Sequence, residues 1–187
     1  IDQSGNANNV TQSVGVSQPQ LVSSGAVLTL NSLPVINGDG SADYLTLSAN
    51  LTALESNNFM YSFVGNNNTN NLAGGIFCNR INGGTFAGWL ATIDRRTNKL
   101  HTFLDEGATT KSLAALATDN TASQRLHSFT IDSSNNTEAF LNGTSQSTGS
   151  GWSVPTGGNF ELMRNIAGPT YYQVGIQELI IFSKSTV

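Results

Sequence analysis

The sequence carries little charge. Only 11% of its 187 residues are Asp, Glu, Lys or Arg, and the formal net charge is −4. The eight basic residues are scattered, with Arg95 and Arg96 as the only adjacent pair. A nucleic-acid partner requires a basic stripe that neutralises its phosphates, and this sequence has none. We therefore expect no nucleic acid among the partners of this chain.

Cysteine and long apolar runs are also scarce. The single cysteine, Cys78, excludes an intrachain disulfide and is predicted to be a small buried core residue. No apolar run approaches the roughly 20 residues that a membrane-spanning helix needs, so we expect no membrane insertion. Neither His101 nor His127 has a His or Cys partner at metal-binding spacing, which argues against zinc. The chain does not begin with Met, and we interpret it as a segment of a longer polypeptide.

In place of charge, the chain is rich in Asn, Ser, Thr, Gln and Gly, which favour turns and strands over helices. Short apolar or alternating runs are bounded by Gly or Asn clusters, as in an antiparallel sheet protein. This pattern predicts an all-β fold, a two-layer antiparallel sandwich of the jelly-roll type. We predict one domain over residues 1–187, with residues 1–25 as an irregular N-terminal arm. The clearest runs are AVLTL, FMYSFVG, FAGWLATID, RLHSFTID, TEAFLNG and GIQELIIFS.

Two segments have a spacing that is compatible with a helix. Residues 51–56 (LTALES) are predicted to form a helical turn, whereas residues 111–119 (KSLAALATD) fit either a helix or a strand followed by a loop. Turn residues interrupt the strands elsewhere. Residues 132–137 (DSSNNT) predict the turn of a hairpin, and residues 141–146 (LNGTSQ) begin another turn.

Three stretches resemble the concanavalin A-like, laminin-G-like jelly-roll superfamily: LPVINGDGSADYLTLS, RLHSFTIDSSNNTEAFLNGT and YYQVGIQELIIFSKS. The chain departs from that pattern at Asn37, Leu126 and Asn142, which stand in place of Asp, Trp and Asp. The opening IDQSGNANNVTQ resembles the start of many bacterial and phage modules and of the arabinofuranosidase B catalytic domain. The resemblance spans the whole chain and implies the sandwich fold. It does not assign a function, because many unrelated functions use this architecture.

Residues 36–47 (INGDGSADYLTL) hold two carboxylates in a glycine-rich turn. Asp39 and Asp43 lack the ligand spacing of an EF-hand loop. The favoured interpretation is a plain turn in which Gly38 and Gly40 supply left-handed backbone conformations. The alternative is a calcium site that another loop completes, since some members of the superfamily hold calcium at an edge of the sandwich. Calcium is therefore the one cofactor that we keep as an alternative.

Enzyme motifs are scarce. A retaining glycosidase needs two carboxylates about 5–5.5 Å apart, and the Glu-x-Asp-x-x-Glu string of the jelly-roll glucanases does not occur in this chain. The adjacent pair Asp105 and Glu106 is predicted to be a turn. No Gly-x-Ser-x-Gly elbow and no phosphate-binding glycine loop occurs either. We predict no catalytic residue. A glycoside hydrolase stays an alternative, whose acid would come from Glu55, Glu106, Glu138, Glu161 or Glu178.

Candidate ligand contacts cluster towards the C-terminus. An aromatic face packs on the apolar face of a sugar, while polar groups bond the sugar hydroxyls. Trp152 is flanked by Gly and Pro, so it is predicted to lie on a loop; Tyr171 and Tyr172 follow another turn, and Arg164 and Asn165 end the strand before it. We name these five residues as candidate ligand-binding residues, with packing in the interior as the alternative for the aromatic ones.

Together these features predict a non-catalytic carbohydrate-recognition or host-attachment module of a virion or extracellular surface protein. Its partner would be a glycan or a cell-surface receptor, or other virion proteins. A homo-oligomer such as a trimer would add avidity. A low lysine content and a surface rich in Asn, Ser, Thr and Gly are what we expect of phage fibre or spike proteins. One alternative is a structural module that decorates a capsid or links subunits without a small ligand, and the other is a glycoside hydrolase.

Overall fold

The chain forms two stacked antiparallel sheets. A computed structural model describes residues 5–47, 51–55, 57–67, 75–81, 87–94, 99–106, 110–114, 123–154, 157–166 and 170–183. Sheet A contains, from edge to edge, β11 (Thr110–Ala114), β10 (Lys99–Glu106), β9 (Ala87–Asp94), β8 (Phe77–Cys78), β15 (Phe160–Leu162) and β6 (Leu45–Leu47). Sheet B contains β14 (Thr144–Gly149), β13 (Thr137–Leu141), β12 (Arg125–Ile131), β7 (Phe59–Asn67), β18 (Val174–Ser183) and β5 (Ile36–Asn37).

Short two-stranded ribbons complete the described strands. They are β1 (Val22–Ser23) with β2 (Ala26–Val27), β3 (Thr29–Leu30) with β4 (Leu33–Pro34), and β16 (Arg164–Asn165) with β17 (Thr170–Tyr171). The described helical segments are 3-10 turns at Gly15–Ser17 and Thr52–Glu55. Neither of these described helical segments has the length or the apolar composition of a membrane-spanning helix. The predicted all-β, two-layer antiparallel jelly-roll sandwich is confirmed.

Some of the predictions for short segments are confirmed and others are wrong. The helical turn predicted in residues 51–56 is the 3-10 turn, and the start of 111–119 is strand β11 rather than helix, while residues 115–119 lie outside the described residues. Asp105 and Glu106, predicted as a turn, are instead the last two residues of β10, paired with Gly88 and Ala87 of β9. That prediction was wrong because the pairing with β9 continues past the last apolar residue of the strand.

Turn chemistry fixes the register of the strands β12 to β14. Oδ1 of Asp132 accepts the backbone N–H of Asn136 at 2.8 Å, which closes the β12–β13 hairpin as predicted. Asn142 and Gly143 have φ of 49° and 79°, the left-handed pair that a two-residue hairpin turn requires between β13 and β14. These two turns hold three consecutive strands of sheet B in order.

Every second side chain of β7 points into the core. Phe59, Tyr61 and Phe63 are at most 1% exposed, whereas the residues between them are only half-buried. The ring of Tyr61 stacks on Phe129 of β12 at 5.6 Å, and its hydroxyl lies 2.5 Å from Oγ1 of Thr102 in sheet A. Burial raises the pKa of Tyr61 well above its usual range, so the hydroxyl stays protonated. This hydrogen bond joins the two sheets inside the core.

Trp152 belongs to the same core. It lies on a segment without regular secondary structure, as its Gly and Pro neighbours predict, yet it is only 3% exposed. Its ring stacks on Trp89 of sheet A at 5.7 Å and tilts against Phe129 of sheet B at 5.6 Å. The candidate role of Trp152 as a ligand contact is therefore corrected to packing. The prediction that Trp152 lies on a loop is confirmed, but its side chain inserts between the two sheets.

We predict that Trp152→Ala lowers the free energy of unfolding by about 3–5 kcal/mol, because it leaves a cavity between the sheets. Trp152→Phe keeps part of the aromatic contact and has a smaller effect. The measurement is urea unfolding followed by circular dichroism. The control is Phe182→Ala, since Phe182 is 44% exposed. A Trp152→Ala protein as stable as the control would contradict the packing assignment.

Candidate functional site

Residues Asp39 to Asp43 form a turn around one carboxylate. Oδ1 of Asp39 accepts the backbone N–H groups of Ser41 at 2.8 Å, Ala42 at 2.9 Å and Asp43 at 3.1 Å. Oδ2 of Asp39 accepts the Ser41 hydroxyl at 2.5 Å. The backbone N–H of Asp39 in turn donates to Oδ2 of Asp43 at 3.0 Å. The Asp39 side chain thus supplies the acceptors that the backbone of this turn lacks.

The two glycines of this turn have different reasons to be glycine. Gly40 has a φ of +76°, the left-handed conformation that we predicted. Gly38 does not have a left-handed φ, so that part of the prediction was wrong. Instead, a Cβ at Gly38 would lie 2.9 Å from Sδ of Met163 and from the carbonyl oxygen of Tyr172. Close packing against the β16–β17 region, rather than backbone conformation, excludes a larger residue there.

The two carboxylates of the turn differ in proton affinity. Partial burial acts to raise the pKa of Asp39, but the hydrogen bonds from Ser41, Ala42 and Asp43 together outweigh it and bring the pKa to about 2. Burial raises the pKa of Asp43; the backbone hydrogen bond from Asp39 opposes this, and the negative charge of Asp39 adds to it. A calcium ion would compete with these N–H donors for the oxygens of Asp39.

The calcium alternative would also need ligands from elsewhere. Within the part of the chain that the structure describes, no third Asp, Glu, His or Cys joins Asp39 and Asp43 in a metal-binding group. Calcium prefers six to eight oxygen ligands, which two carboxylates cannot supply alone. A calcium site here therefore stays a prediction that depends on backbone carbonyls, amides or another loop.

Three half-buried side chains meet at the start of β6 and in the β16–β17 ribbon. Arg164 lies opposite Tyr171 in this ribbon, and its guanidinium carbon is 4.4 Å from the centroid of the Tyr44 ring. The Tyr171 ring lies 6.1 Å from the Tyr44 ring and is tilted by 46° to it. We call Arg164, Tyr44 and Tyr171 the arginine–tyrosine cluster. It presents aromatic surface next to a guanidinium group that is held over a ring by a cation–π contact.

One carboxylate balances the charge of this cluster. Oε2 of Glu161, in β15, lies 3.2 Å from Nε of Arg164, and the Glu161 side chain is only 6% exposed. Burial raises the pKa of Glu161, and the positive charge of Arg164 opposes that rise. The Nε–Oε2 contact is an ion pair without hydrogen-bond geometry, and the terminal nitrogens of Arg164 form no hydrogen bond to a described residue. The Arg164–Glu161 pair as a whole has no net charge, and its terminal N–H groups are hydrogen-bond donors for a ligand.

Two of the predicted ligand contacts lie elsewhere. Tyr172 is fully buried, and its backbone N–H donates to the carbonyl of Met163 at 2.8 Å. Asn165 is 9% exposed, with its Oδ1 3.9 Å from Sγ of Cys78, which is itself buried as predicted. Both are corrected from ligand contacts to interior residues. Successive side chains on a strand point to opposite faces, so the partners that face outwards are Tyr171 and Arg164.

Tyr44 is the member of the cluster that the sequence analysis missed. It follows Asp43 in the run ADYLTL, which was interpreted only as a turn that leads into a strand. The available signal was the alternation of the run, in which Leu45 and Leu47 pack towards the core and Tyr44 lies on the other face. Nothing in the sequence showed that β6 and the β16–β17 ribbon would place Tyr44 beside Arg164.

Asp132, Asp43 and Glu161 serve local structure. A polar depression of about 590 Å³ at the end of β12 and β13 is lined by Asp132 and Glu138, among others. Both oxygens of Asp132 accept hydrogen bonds within its own turn, one from the backbone and one from the side-chain amide of Asn136. Asp43 and Glu161 have raised pKa values, as a glycosidase acid would, but they belong to a turn and to an ion pair.

Comparison with known proteins places the fold. No protein-family model matches the chain, and no curated protein sequence matches it. Domain 4 of AbnA, a GH43 extracellular arabinanase from Geobacillus stearothermophilus solved with arabinotriose, is similar in structure with a TM-score of 0.59 and 13% identity, over 80% of this chain and 75% of that domain.

Two further solved structures are similar to this chain. The CBM40 of the Ruminococcus gnavus IT-sialidase, bound to α2,3 sialyllactose, has a TM-score of 0.63 and 10% identity, over 82% of this chain and 91% of that one. A botulinum neurotoxin type C structure, described by its interaction with two ganglioside molecules, has a TM-score of 0.61 and 15% identity, over 85% of this chain and 42% of that one. Identities this low show a shared fold alone.

We predict that Asp39→Ala lowers the free energy of unfolding by about 1–2 kcal/mol near neutral pH, because it removes the acceptor of the turn's N–H groups. Asp39→Asn keeps one acceptor oxygen and has a smaller effect. Because the pKa of Asp39 is lowered from 3.8 to about 2, the stabilisation is complete above about pH 4 and is lost as pH falls through 2. Urea unfolding near neutral pH and at about pH 2 checks this; an Asp39→Ala effect that does not shrink in acid would contradict it.

We predict that Arg164→Met lowers the free energy of unfolding by about 2 kcal/mol near neutral pH, because Glu161 then lies buried without its counter-charge. The folded-state pKa of Glu161 rises further in this variant, so its stability recovers as pH falls through that raised pKa. The measurement is urea unfolding at neutral and mildly acidic pH. The double variant Arg164→Met, Glu161→Gln is the control and should show no such recovery. Equal losses at both pH values would contradict the ion-pair assignment.

Proposed function

We propose that this chain is a non-catalytic carbohydrate-recognition module whose ligand contacts are Arg164, Tyr44 and Tyr171. The observation that carries the proposal is the arginine–tyrosine cluster, in which half-buried rings lie beside guanidinium N–H groups without a partner in the described chain. Tyr171 supplies a ring for the apolar face of a pyranose or furanose. The terminal nitrogens of Arg164 donate hydrogen bonds to the ring oxygen or hydroxyls of the sugar.

The cluster is preorganised for such a ligand. The Glu161 carboxylate and the Tyr44 ring both contact the guanidinium group of Arg164 and restrict its position. Little side-chain entropy is therefore lost when a ligand binds. Because the ion pair is neutral, neutral sugars bind without the desolvation of an uncompensated charge. The ligands in the similar structures support a sugar: arabinotriose for the arabinanase domain, sialyllactose for the CBM40 and gangliosides for the neurotoxin.

We further propose an extracellular or virion-surface setting, with the chain as a concanavalin A-like, laminin-G-like module that attaches its parent protein to a host glycan or cell-surface receptor. The sequence resemblance to bacterial and phage modules supports this setting, as does the surface rich in amides and hydroxyls. A small, shallow site of this kind binds weakly. Attachment then depends on several copies acting together, as in a fibre trimer.

Two alternatives predict different behaviour from the same fold. A structural module that decorates a capsid or links subunits binds no small ligand and presents an apolar or amide-rich face to a neighbouring subunit. A glycoside hydrolase needs a carboxylic acid facing a second carboxylate, and it releases sugar. The carboxylates of Asp39, Asp132 and Glu161 are committed to turns and to an ion pair, which favours recognition over hydrolysis.

We predict that the chain binds members of a broad glycan array and that Tyr171→Ala weakens its best hit at least about tenfold, which corresponds to roughly 1.4 kcal/mol of lost stacking. The matched control is Phe182→Ala, which removes an aromatic ring that is exposed on β18, away from the cluster. Affinities are measured by titration calorimetry on the best hit. Circular dichroism melts confirm that both variants fold.

The other outcomes decide between the alternatives. Binding that Phe182→Ala abolishes and Tyr171→Ala leaves intact would reject the arginine–tyrosine cluster as the site. Sugar release from a hit would favour the glycoside hydrolase. No hit at any glycan density would reject carbohydrate recognition and favour the structural module. Running the array with and without EDTA tests the calcium alternative at Asp39 and Asp43, because only calcium-dependent binding is lost to the chelator.

A further inference from the structure

Two crossovers of the chain between the sheets lie next to each other. Residues 38–44 lead from β5 of sheet B to β6 of sheet A, and we call them the first crossover. Residues 163–166 and 170–173 are the described parts of the connection from β15 of sheet A to β18 of sheet B, and we call them the second crossover. Because β5 pairs with β18 and β6 pairs with β15, the two crossovers run side by side at the same edge of the sandwich.

The arginine–tyrosine cluster lies between these crossovers. Arg164 and Tyr171 belong to the second crossover, where the pairing of β16 with β17 holds them in register. Tyr44 is the last residue of the first crossover, because β6 begins at Leu45. Its backbone N–H donates to the carbonyl of Ser17 at 3.1 Å. The position of the Tyr44 ring over the guanidinium group therefore depends on the path of the first crossover.

The side chain of Asp39 fixes that path. Its Oδ1 accepts three backbone N–H groups, and the last of them belongs to Asp43, the residue directly before Tyr44. The backbone N–H of Asp39 donates to Oδ2 of Asp43 at 3.0 Å, so the two residues are joined in both directions. Asp43 is itself buried. The carboxylate of Asp39 thus sets the point at which the chain reaches Tyr44.

The start of the first crossover is fixed against the second one. The backbone N–H of Gly38 donates to the carbonyl of Val174 at 3.0 Å, directly after the second crossover. A Cβ at Gly38 would lie 2.9 Å from the carbonyl oxygen of Tyr172, and a Cβ at Gly40 would lie 3.0 Å from Cβ of Gln173. Asp39 lies between these two glycines. It therefore links the part of the turn that packs on the second crossover to the part that carries Tyr44.

We propose that Asp39 is a positioning residue for the arginine–tyrosine cluster, whose carboxylate holds Tyr44 over Arg164 without contacting a ligand. The effect on binding rests on the proposed function, whereas the effect on the cluster can be measured without any ligand. When Asp39 is removed, the turn has access to other conformations, and Tyr44 is in place in only a fraction of the molecules. Only that fraction has the cluster ready to bind.

The test is the Nε–H resonance of Arg164, measured by NMR on the isotope-labelled chain and identified by its absence in Arg164→Met. A proton over an aromatic ring is shielded by the ring current, so Tyr44→Leu gives the position of the unshielded resonance. We expect Asp39→Ala to move the resonance most of the way to that position. Asp39→Asn keeps one acceptor oxygen and should move it less. A parent resonance that already coincides with that of Tyr44→Leu would overturn the proposal.

The matched control is Asp132→Ala. Asp132 has the same task in the β12–β13 turn, where its Oδ1 accepts the backbone N–H groups of Ser134 and Asn136 at 2.9 and 2.8 Å. This variant should lose stability as Asp39→Ala does, but it should leave the Arg164 resonance unchanged. The comparison separates positioning from a general loss of stability. An Arg164 resonance that does not move in Asp39→Ala, or that moves equally in Asp132→Ala, contradicts the proposed role.

A second measurement is the affinity for the best glycan on the array. If the resonance moves about four-fifths of the way to the Tyr44→Leu position, the cluster is formed in about one-fifth of the molecules and the dissociation constant rises about fivefold. Weaker binding by Asp39→Ala with an unmoved resonance would make Asp39 a direct ligand contact and would overturn the positioning role. If the parent chain binds no glycan, the proposed function fails, and the resonance alone decides whether Asp39 positions the cluster.

Discussion

The aromatic contact between the two sheets is what the rest of the molecule depends on. Trp152 reaches in from a loop to stack on Trp89 of sheet A and to tilt against Phe129 of sheet B, while Tyr61 stacks on that same Phe129 and bonds across to Thr102. Both tryptophans of the chain are used in this way. Neither tryptophan is therefore available at the surface, where the half-buried Tyr44 contacts the guanidinium of Arg164 and Tyr171 lies beside Tyr44.

The sequence predicts the strands of this protein and the faces that they bury better than it predicts the exposure of side chains near turns. Alternation in runs such as FMYSFVG encodes both the strand and the face that it buries, so the sandwich could be predicted from the sequence alone. The exposure of a side chain near a turn could not be predicted in this way. Trp152 and Tyr171 both have Gly and Pro residues close to them in the sequence, yet one is 3% exposed and the other half-buried. Their difference is set by which sheet lies opposite, a long-range property that no local pattern carries.

The site shows the same limit at the scale of neighbouring residues. Arg164 and Tyr171 face outwards and stay candidate ligand contacts, whereas Asn165 in the same ribbon and Tyr172, the residue after it, are buried. One residue of register decides between a ligand contact and a core residue, and that register follows from the pairing of β16 with β17. Tyr44 joined the cluster only through the packing of β6 against that ribbon, so it could be found only in three dimensions.

The scarcity of charge also shapes the candidate site. With few carboxylates, the chain uses Asp39 and Asp132 to satisfy backbone N–H groups in turns and Glu161 to hold Arg164, which leaves the arginine–tyrosine cluster without net charge. Under the proposed function, a single neutral site of this kind interacts weakly with one sugar. Affinity then depends on the number of sites engaged at once, because each further contact is intramolecular.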